Sequence, residues 1–209
     1  MSSTFMRALA GTRLYPLTDR YLSRLSHAEQ VSHLGKAGAR IVQLREKLLP
    51  PFEFYQEAAN ALRVARQLGI KVLINDRVDI ALALKVDGVH LGQGDLPPEA
   101  ARRLLGPKAM IGVSTHNPEQ ARLAAKMHID YIAIGPIFAT STKQASETPT
   151  GLTILREVRH IVGQIPLVAI GGITSENSQD VLDAGADAVA VISDIWSSPG
   201  TVADARALL

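Results

Sequence analysis

Short apolar runs alternate with longer amphipathic stretches along the chain, separated by polar or glycine-bearing turns. Eight such runs occur, over residues 14–18, 41–46, 72–76, 89–92, 110–114, 131–135, 167–171 and 188–193. They are rich in Val and Ile and apolar on both faces, the pattern of buried parallel strands joined by crossover helices. The stretches between them carry the helical period. Tyr55, Ala59, Leu62 and Ala65 recur at that spacing before Gly69 stops the helix, and residues 177–184 repeat the pattern before Gly185. Eight units in 209 residues leave roughly 26 each, room for a strand, a helix and two short loops. The expectation is α/β, a single (β/α)8 TIM barrel over 13–209 preceded by a frayed, flexible segment 1–12. A doubly wound open sheet is the alternative. Thr18-Asp19-Arg20, however, stands where that fold would place a glycine fingerprint.

Composition excludes several classes of function. With 46% hydrophobic and 20% charged residues the chain is an ordinary globular one, and 22 basic against 20 acidic side chains give a net charge of +2. The pI of about 9.0 therefore reflects two surplus charges, with no basic tract to hold nucleic acid. Aromatic residues at 4% offer no stacking platform for single-stranded bases. No apolar stretch approaches the ~18 residues of a membrane helix. The absence of cysteine rules out disulfides, thiolate metal sites and a cysteine nucleophile, and fits a reducing compartment such as the cytoplasm.

In either α/β architecture ligands gather at the carboxyl ends of the strands. In Gln43-Leu44-Arg45-Glu46-Lys47 the period of two puts Gln43, Arg45 and Lys47 on one face, while Leu44 turns with Val42 towards the helices. Two cations entering a barrel interior need an anion. A phosphate or pyrophosphate suits arginine and lysine, and salt bridges to barrel carboxylates are the plainer alternative. Asn75-Asp76 ends the third strand and Gln93-Gly94-Asp95 follows the fourth. Two carboxylates on neighbouring strand ends beside a pyrophosphate fit Mg²⁺, although each alone could cap a helix and Asp76 could pair with Arg77. His90 lies within a strand, where a hydrogen-bonded core role is the plainer reading. Ser114-Thr115-His116-Asn117 could donate to phosphate or cap the helix near Pro118. No acidic partner completes a Ser-His-Asp arrangement, and no His spacing indicates zinc. The long polar connection over 138–151, with Thr140, Ser141, Thr142 and Lys143, reads either as a disordered surface excursion or as a lid over a bound anion, and its position favours the lid. Gly171-Gly172 ends the seventh strand before a helix expected at Thr174, and Ile192-Ser193 ends the eighth, the usual place of a phosphate cup. Two anion sites would then face each other across the mouth.

These segments, in this order, resemble the thiamine-phosphate synthase family. The resemblance runs from Leu14 to Trp196 through Gln43-Leu44-Arg45-Glu46-Lys47, Asn75-Asp76-Arg77-Val78-Asp79, Gly88-Val89-His90-Leu91-Gly92-Gln93-Gly94-Asp95, Gly112-Val113-Ser114-Thr115-His116, Gly135-Pro136-Ile137-Phe138 and Ile170-Gly171-Gly172-Ile173. It implies a TIM barrel that joins hydroxymethylpyrimidine pyrophosphate to hydroxyethylthiazole phosphate. Ionisation of the pyrophosphate ester comes first, and the thiazole nitrogen captures the resulting cation. Carried over, Gln43, Arg45, Lys47, Asn75, Ser114 and Lys143 resemble pyrophosphate or pyrimidine contacts, with Ser114, Lys143, Arg45 and Lys47 as the catalytic set. Asp76 and Asp95 resemble Mg²⁺ ligands. Thr140, Thr142, Gly172, Ile192 and Ser193 resemble the thiazole-phosphate side. Ala139 stands where many relatives carry proline, and Pro16 interrupts an otherwise aliphatic strand. The expected partners are these two small molecules, with neither nucleic acid nor membrane, and a homo-oligomer is left open. The rivals are a thiazole tautomerase on the same barrel, which Asp76 and the Gly135-Pro136 turn disfavour, and a non-catalytic sensor of phosphate ligands.

Overall fold

The structure is a computed structural model and describes residues 3–9, 11–140 and 148–196. Eight parallel strands close in sequence order. They are β1 (Leu14–Thr18), β2 (Ile41–Leu44), β3 (Lys71–Asn75), β4 (Gly88–Leu91), β5 (Met110–Thr115), β6 (Tyr131–Ile134), β7 (Leu167–Ile170) and β8 (Ala188–Val191). Each lies within two residues of its expected run, and β1 seals the ring against β8 through Leu14↔Val189, Tyr15↔Ala190 and Pro16↔Val191. No sheet edge remains, which excludes the open-sheet alternative.

The described helices are α1 (Thr4–Leu9), α2 (Arg20–Ser23), α3 (His27–Ala37), α4 (Pro51–Leu68), α5 (Val78–Leu84), α6 (Pro98–Leu105), α7 (Pro118–Ala124), α8 (Gly151–Val162), α9 (Ser178–Asp183) and α10 (Ser193–Trp196). Alternation along each strand divides two cores. Val42, Leu44, Val72, Ile74, Val89 and Leu91 face the helices, whereas Tyr15, Leu17, Ile41, Leu73, Met110 and Tyr131 fill the barrel.

Three expectations are corrected. Thr4–Leu9 is not frayed: it forms α1, whose Phe5 and Leu9 are fully buried under the barrel, with Phe5 stacked 4.0 Å from the Tyr131 ring. On α4 the buried stripe is Phe54, Ala58, Ala61, Leu62 and Ala65: Leu62 and Ala65 are buried as expected, but Phe54 and Ala58 stand in place of Tyr55 and Ala59, and Tyr55 is 39% exposed. The helix after β7 starts at Ser178 rather than Thr174, because Asn177 Oδ1 accepts from the Thr174 amide at 2.9 Å and closes a turn first.

Beneath the barrel three aspartates repeat one device. Asp87, Asp130 and Asp187, each just before an even-numbered strand, accept the backbone N–H of Val72, Ile111 and Leu167 at 2.8–2.9 Å. Each also pairs with a cation, Lys71, Arg102 and Arg159 respectively. At the seam between first and last strands, the Trp196 indole donates to the Leu17 carbonyl at 2.7 Å.

Candidate active site

A cavity of about 450 Å³ opens at the carboxyl ends of the strands. Gln43 enters it from β2, and Arg45 and Lys47 line it from the connection that follows Leu44, on the side the expected alternation gave them. Each cation meets a carboxylate. Arg45 donates to Asp19 Oδ2 at 2.6 Å, and Lys47 Nζ pairs with Asp76. Asp19 also caps α2, its Oδ1 accepting the Leu22 amide at 3.0 Å, so Arg45 is anchored on a helix start. The loop bearing Lys47 is shaped by Glu46, whose Oε1 accepts the amides of Lys47, Leu48 and Leu49 at 2.9, 2.8 and 3.3 Å. Burial alone would raise the Glu46 carboxyl, yet the buried His27 ring beside it and those amides outweigh it and hold it down at about 2.

Asp76 and Asp95 take neither of the simpler roles open to them. The cap positions of α5 and α6 are Arg77 and Pro97, without side-chain cap bonds, and Arg77 pairs with Asp79. Asp76 instead sits at φ 63°, a left-handed conformation that costs a non-glycine residue about 1–2 kcal/mol, with its amide donating to the His90 carbonyl at 2.8 Å. Strain of this kind collects where a side chain must be aimed. Asp95 Oδ2 accepts the Gly92 amide at 2.7 Å. Burial, then the facing Asp76 carboxylate, pushes the Asp95 carboxyl upward. Two crowded carboxylates are a charge arrangement that a hard divalent cation relieves, so these residues fit Mg²⁺. Among the described residues no cluster of three or more His, Cys, Asp or Glu side chains forms a metal cage. Phosphate oxygens and water would have to complete the shell, which is the habit of Mg²⁺.

His90 is buried, its Nε2 2.8 Å from Ser114 Oγ and its Nδ1 2.8 Å from the Tyr131 hydroxyl. Burial pulls its pKa down to about 4, so the ring is neutral near pH 7 and fits the hydrogen-bonded core role. Asn117, not Ser114, caps α7, accepting from Gln120 N at 2.9 Å. Ser114 is thereby left facing the cavity. Gln43 Oε1 and Asn75 Nδ2 are buried without a partner, and both residues line the cavity. Unpaired buried polar atoms at a pocket wall mark where a ligand supplies the missing bond.

Across the mouth, Ile137 and Phe138 donate to the carbonyls of Ile170 and Gly171 at 2.9 and 3.0 Å, pinning the β6 loop on the end of β7. Gly172, at φ 64°, admits no side chain: a Cβ would lie 2.6 Å from the Ala139 carbonyl and 2.7 Å from Phe138 Cβ. It stands between the lining residues Gly171 and Ile173, and Thr140, Ile192 and Ser193 complete that wall. Ser141, Thr142 and Lys143 lie outside the described residues, as does the rest of 141–147 within the expected lid.

Sequence reasoning gave no role to Asp19, Gln93 or Tyr131 and left that of His116 open. Gln93 Nε2 donates to the Ser114 carbonyl at 2.6 Å and His116 Nδ1 donates to that of Gly135 at 2.6 Å, both steadying the β5 end. A signal for Tyr131 was present in Gly112, mid-strand, where a Cβ would fall 2.0 Å from the tyrosine Cζ.

The profile of the thiamine monophosphate synthase family matches residues 14–195. A thiamine-phosphate synthase of Chloroflexus aurantiacus is 45% identical over 197 residues, 94% of this chain and 90% of that protein. One from Syntrophomonas wolfei is 45% identical over 196 residues, covering 93% of each. The solved thiamine phosphate pyrophosphorylase of Pyrococcus furiosus superposes with a TM-score of 0.87 at 34% identity, over 98% of this chain and 96% of that one. A barrel whose strand ends carry these cations, carboxylates and glycines in this order, with relatives this near along almost its whole length, belongs to the thiamine monophosphate synthase family.

Proposed function

We propose that the mouth of this barrel joins hydroxymethylpyrimidine pyrophosphate to hydroxyethylthiazole phosphate, giving thiamine phosphate and pyrophosphate. The observation that carries this reading is the convergence on one cavity of Arg45, held by Asp19, Lys47, paired with Asp76, and the crowded carboxylates of Asp76 and Asp95 on adjoining strand ends, opposite a glycine-backed wall. Ionisation of the pyrophosphate ester needs a stabilised leaving group. The guanidinium of Arg45 and the ammonium of Lys47 lie where they can take its oxygens, joined in the family pattern by Lys143. Bound between Asp76 and Asp95, Mg²⁺ would add Lewis-acid neutralisation of the departing charge. Gln43, Asn75 and Ser114 hold the pyrimidine ring, and Gly172, Ile192, Ser193, Thr140 and Thr142 seat the thiazole phosphate. The attacking thiazole nitrogen carries no proton, so no general base is required. A neutral His90 agrees with that chemistry.

The curated relatives named above are synthases, and neither the tautomerase nor the sensor reading gains support beside them. A cytoplasmic location and a homo-oligomer belong to the same proposal. The cysteine-free composition supports the first, and the exposed Leu48, in the loop before α4, and Phe52, at its start, support the second. No described helix is long and apolar enough to cross a membrane. Purified protein given both substrates and Mg²⁺ should form thiamine phosphate. Interconversion of thiazole tautomers without that product would overturn the reading.

A further inference from the structure

Beneath the charged groups of the mouth, five side chains from five strands bond in a single row. Gln43 Nε2 donates to the Tyr15 hydroxyl at 3.1 Å, and Tyr15 and Tyr131 share a 3.0 Å bond between hydroxyls. Tyr131 is 2.8 Å from His90 Nδ1, and His90 Nε2 is 2.8 Å from Ser114 Oγ. Both ends of the row, Gln43 and Ser114, face the cavity. Its middle is held rigidly, because Tyr131 stacks on Phe5 and occupies the space that Gly112 leaves open.

Each His90 nitrogen faces a hydroxyl rather than a carboxylate, and burial pushes both phenols up, so the row is taken as uncharged. Each phenol therefore has one proton to give, and the imidazole has one N–H and one lone pair. With Gln43 donating, the Tyr15 proton goes to Tyr131, the Tyr131 proton goes to His90 Nδ1, and His90 Nε2–H donates to Ser114. The Ser114 proton is then free for the cavity, while Gln43 Oε1, buried and unpartnered, offers it an acceptor. If the Gln43 amide turns over, every bond reverses: Gln43 accepts from Tyr15 and Ser114 donates to His90, so that towards the cavity Ser114 offers an acceptor and Gln43 a donor. Any mixed arrangement strands a buried proton or sets two lone pairs against each other, which a dry interior penalises.

We propose that this row is a polarity relay that fixes jointly the sense in which Gln43 and Ser114 present hydrogen-bonding groups to the bound ring, with Tyr15, Tyr131 and His90 as positioning residues. In the observed sense the site suits a ring bearing an amino donor and a bare ring nitrogen. It disfavours the oxo counterpart, in which an N–H and a carbonyl exchange those roles. The ligand named here rests on the proposed function, whereas the relay itself does not.

Two measurements test it on the full chain. In nitrogen NMR of histidine-labelled protein, with His90→Gln assigning the signal, wild-type His90 should be the Nε2–H tautomer. Gln43→Glu, whose carboxylate only accepts, should convert it to Nδ1–H, and Tyr131→Phe should abolish that response. A His90 tautomer indifferent to Gln43→Glu, or still responsive in the Tyr131→Phe background, overturns the relay. In kinetics, Tyr131→Phe should lower the preference for the amino- over the oxo-pyrimidine pyrophosphate by about tenfold, mostly through KM, since the two ends then adjust separately. An unchanged preference overturns the relay even if the glutamate variant does not fold. A His90 response in a protein that makes no thiamine phosphate would support the relay while sinking the functional reading.

Discussion

Asp76 and His90 are neighbours in the cavity wall with different work, and substitution separates them. Asp76→Ala removes a carboxylate aimed at the leaving group and should lower kcat by about 100-fold or more, whereas His90→Ala should cost far less turnover. Steady-state rates at saturating Mg²⁺ check this, and equal losses would overturn the division of roles. Glu46 sets a pH dependence. Its carboxyl is held at about 2 in the folded chain against 4.5 ordinarily, so its stabilisation is complete above pH 4.5 and lost as pH falls towards 2. Glu46→Gln should therefore lower the melting temperature at pH 7, with the gap to wild type closing across that window. The shared side of Gln43, Arg45 and Lys47 was legible from the period of two, although β2 itself ends at Leu44 and the loop after it carries the two cations. Asp76, the partner of Lys47, was expected to face it, but Asp19 was not foreseen, because it lies 26 residues from Arg45 and meets it only once β1 and β2 pair.

At the scale of elements, the strands were read almost to the residue because buried parallel strands announce themselves as unbroken apolar runs. The ends of helices were less legible. Nothing in the run Thr-Phe-Met-Arg-Ala-Leu marks a helix: its first turn holds no acid, and six residues cannot sustain one alone. α1 exists because Phe5 finds Tyr131 and Leu9 finds the barrel floor, contacts that no local pattern shows. Phe5→Ala should accordingly cost about 3–5 kcal/mol in urea unfolding, as large buried aromatic truncations do. A loss below about 1 kcal/mol would mean that α1 docks without contributing. The start of α9 slipped for a related reason, since Asn177 competes for the Thr174 amide before the helix can begin.

Across the whole molecule, the two ends of the barrel carry separate burdens. The mouth collects strained, crowded and unpaired groups, whereas the floor pairs its charges with backbone amides through Asp87, Asp130 and Asp187. Asp187→Ala leaves the Leu167 amide and the Arg159 guanidinium without their shared acceptor, and should cost about 1–3 kcal/mol of stability. Thiamine phosphate synthesis measured well below the melting temperature should remain within about twofold of wild type, because activity in this architecture sits at the opposite face. A large loss of turnover with unchanged stability would refute that separation. The seam where first and last strands meet has an optical consequence. Trp196 is the chain's single tryptophan, and its indole is bonded to Leu17 in a buried site. Its fluorescence is thus a built-in gauge of whether the ring is shut: blue-shifted emission accompanies closure, and a red shift marks the moment the last strand lets go of the first.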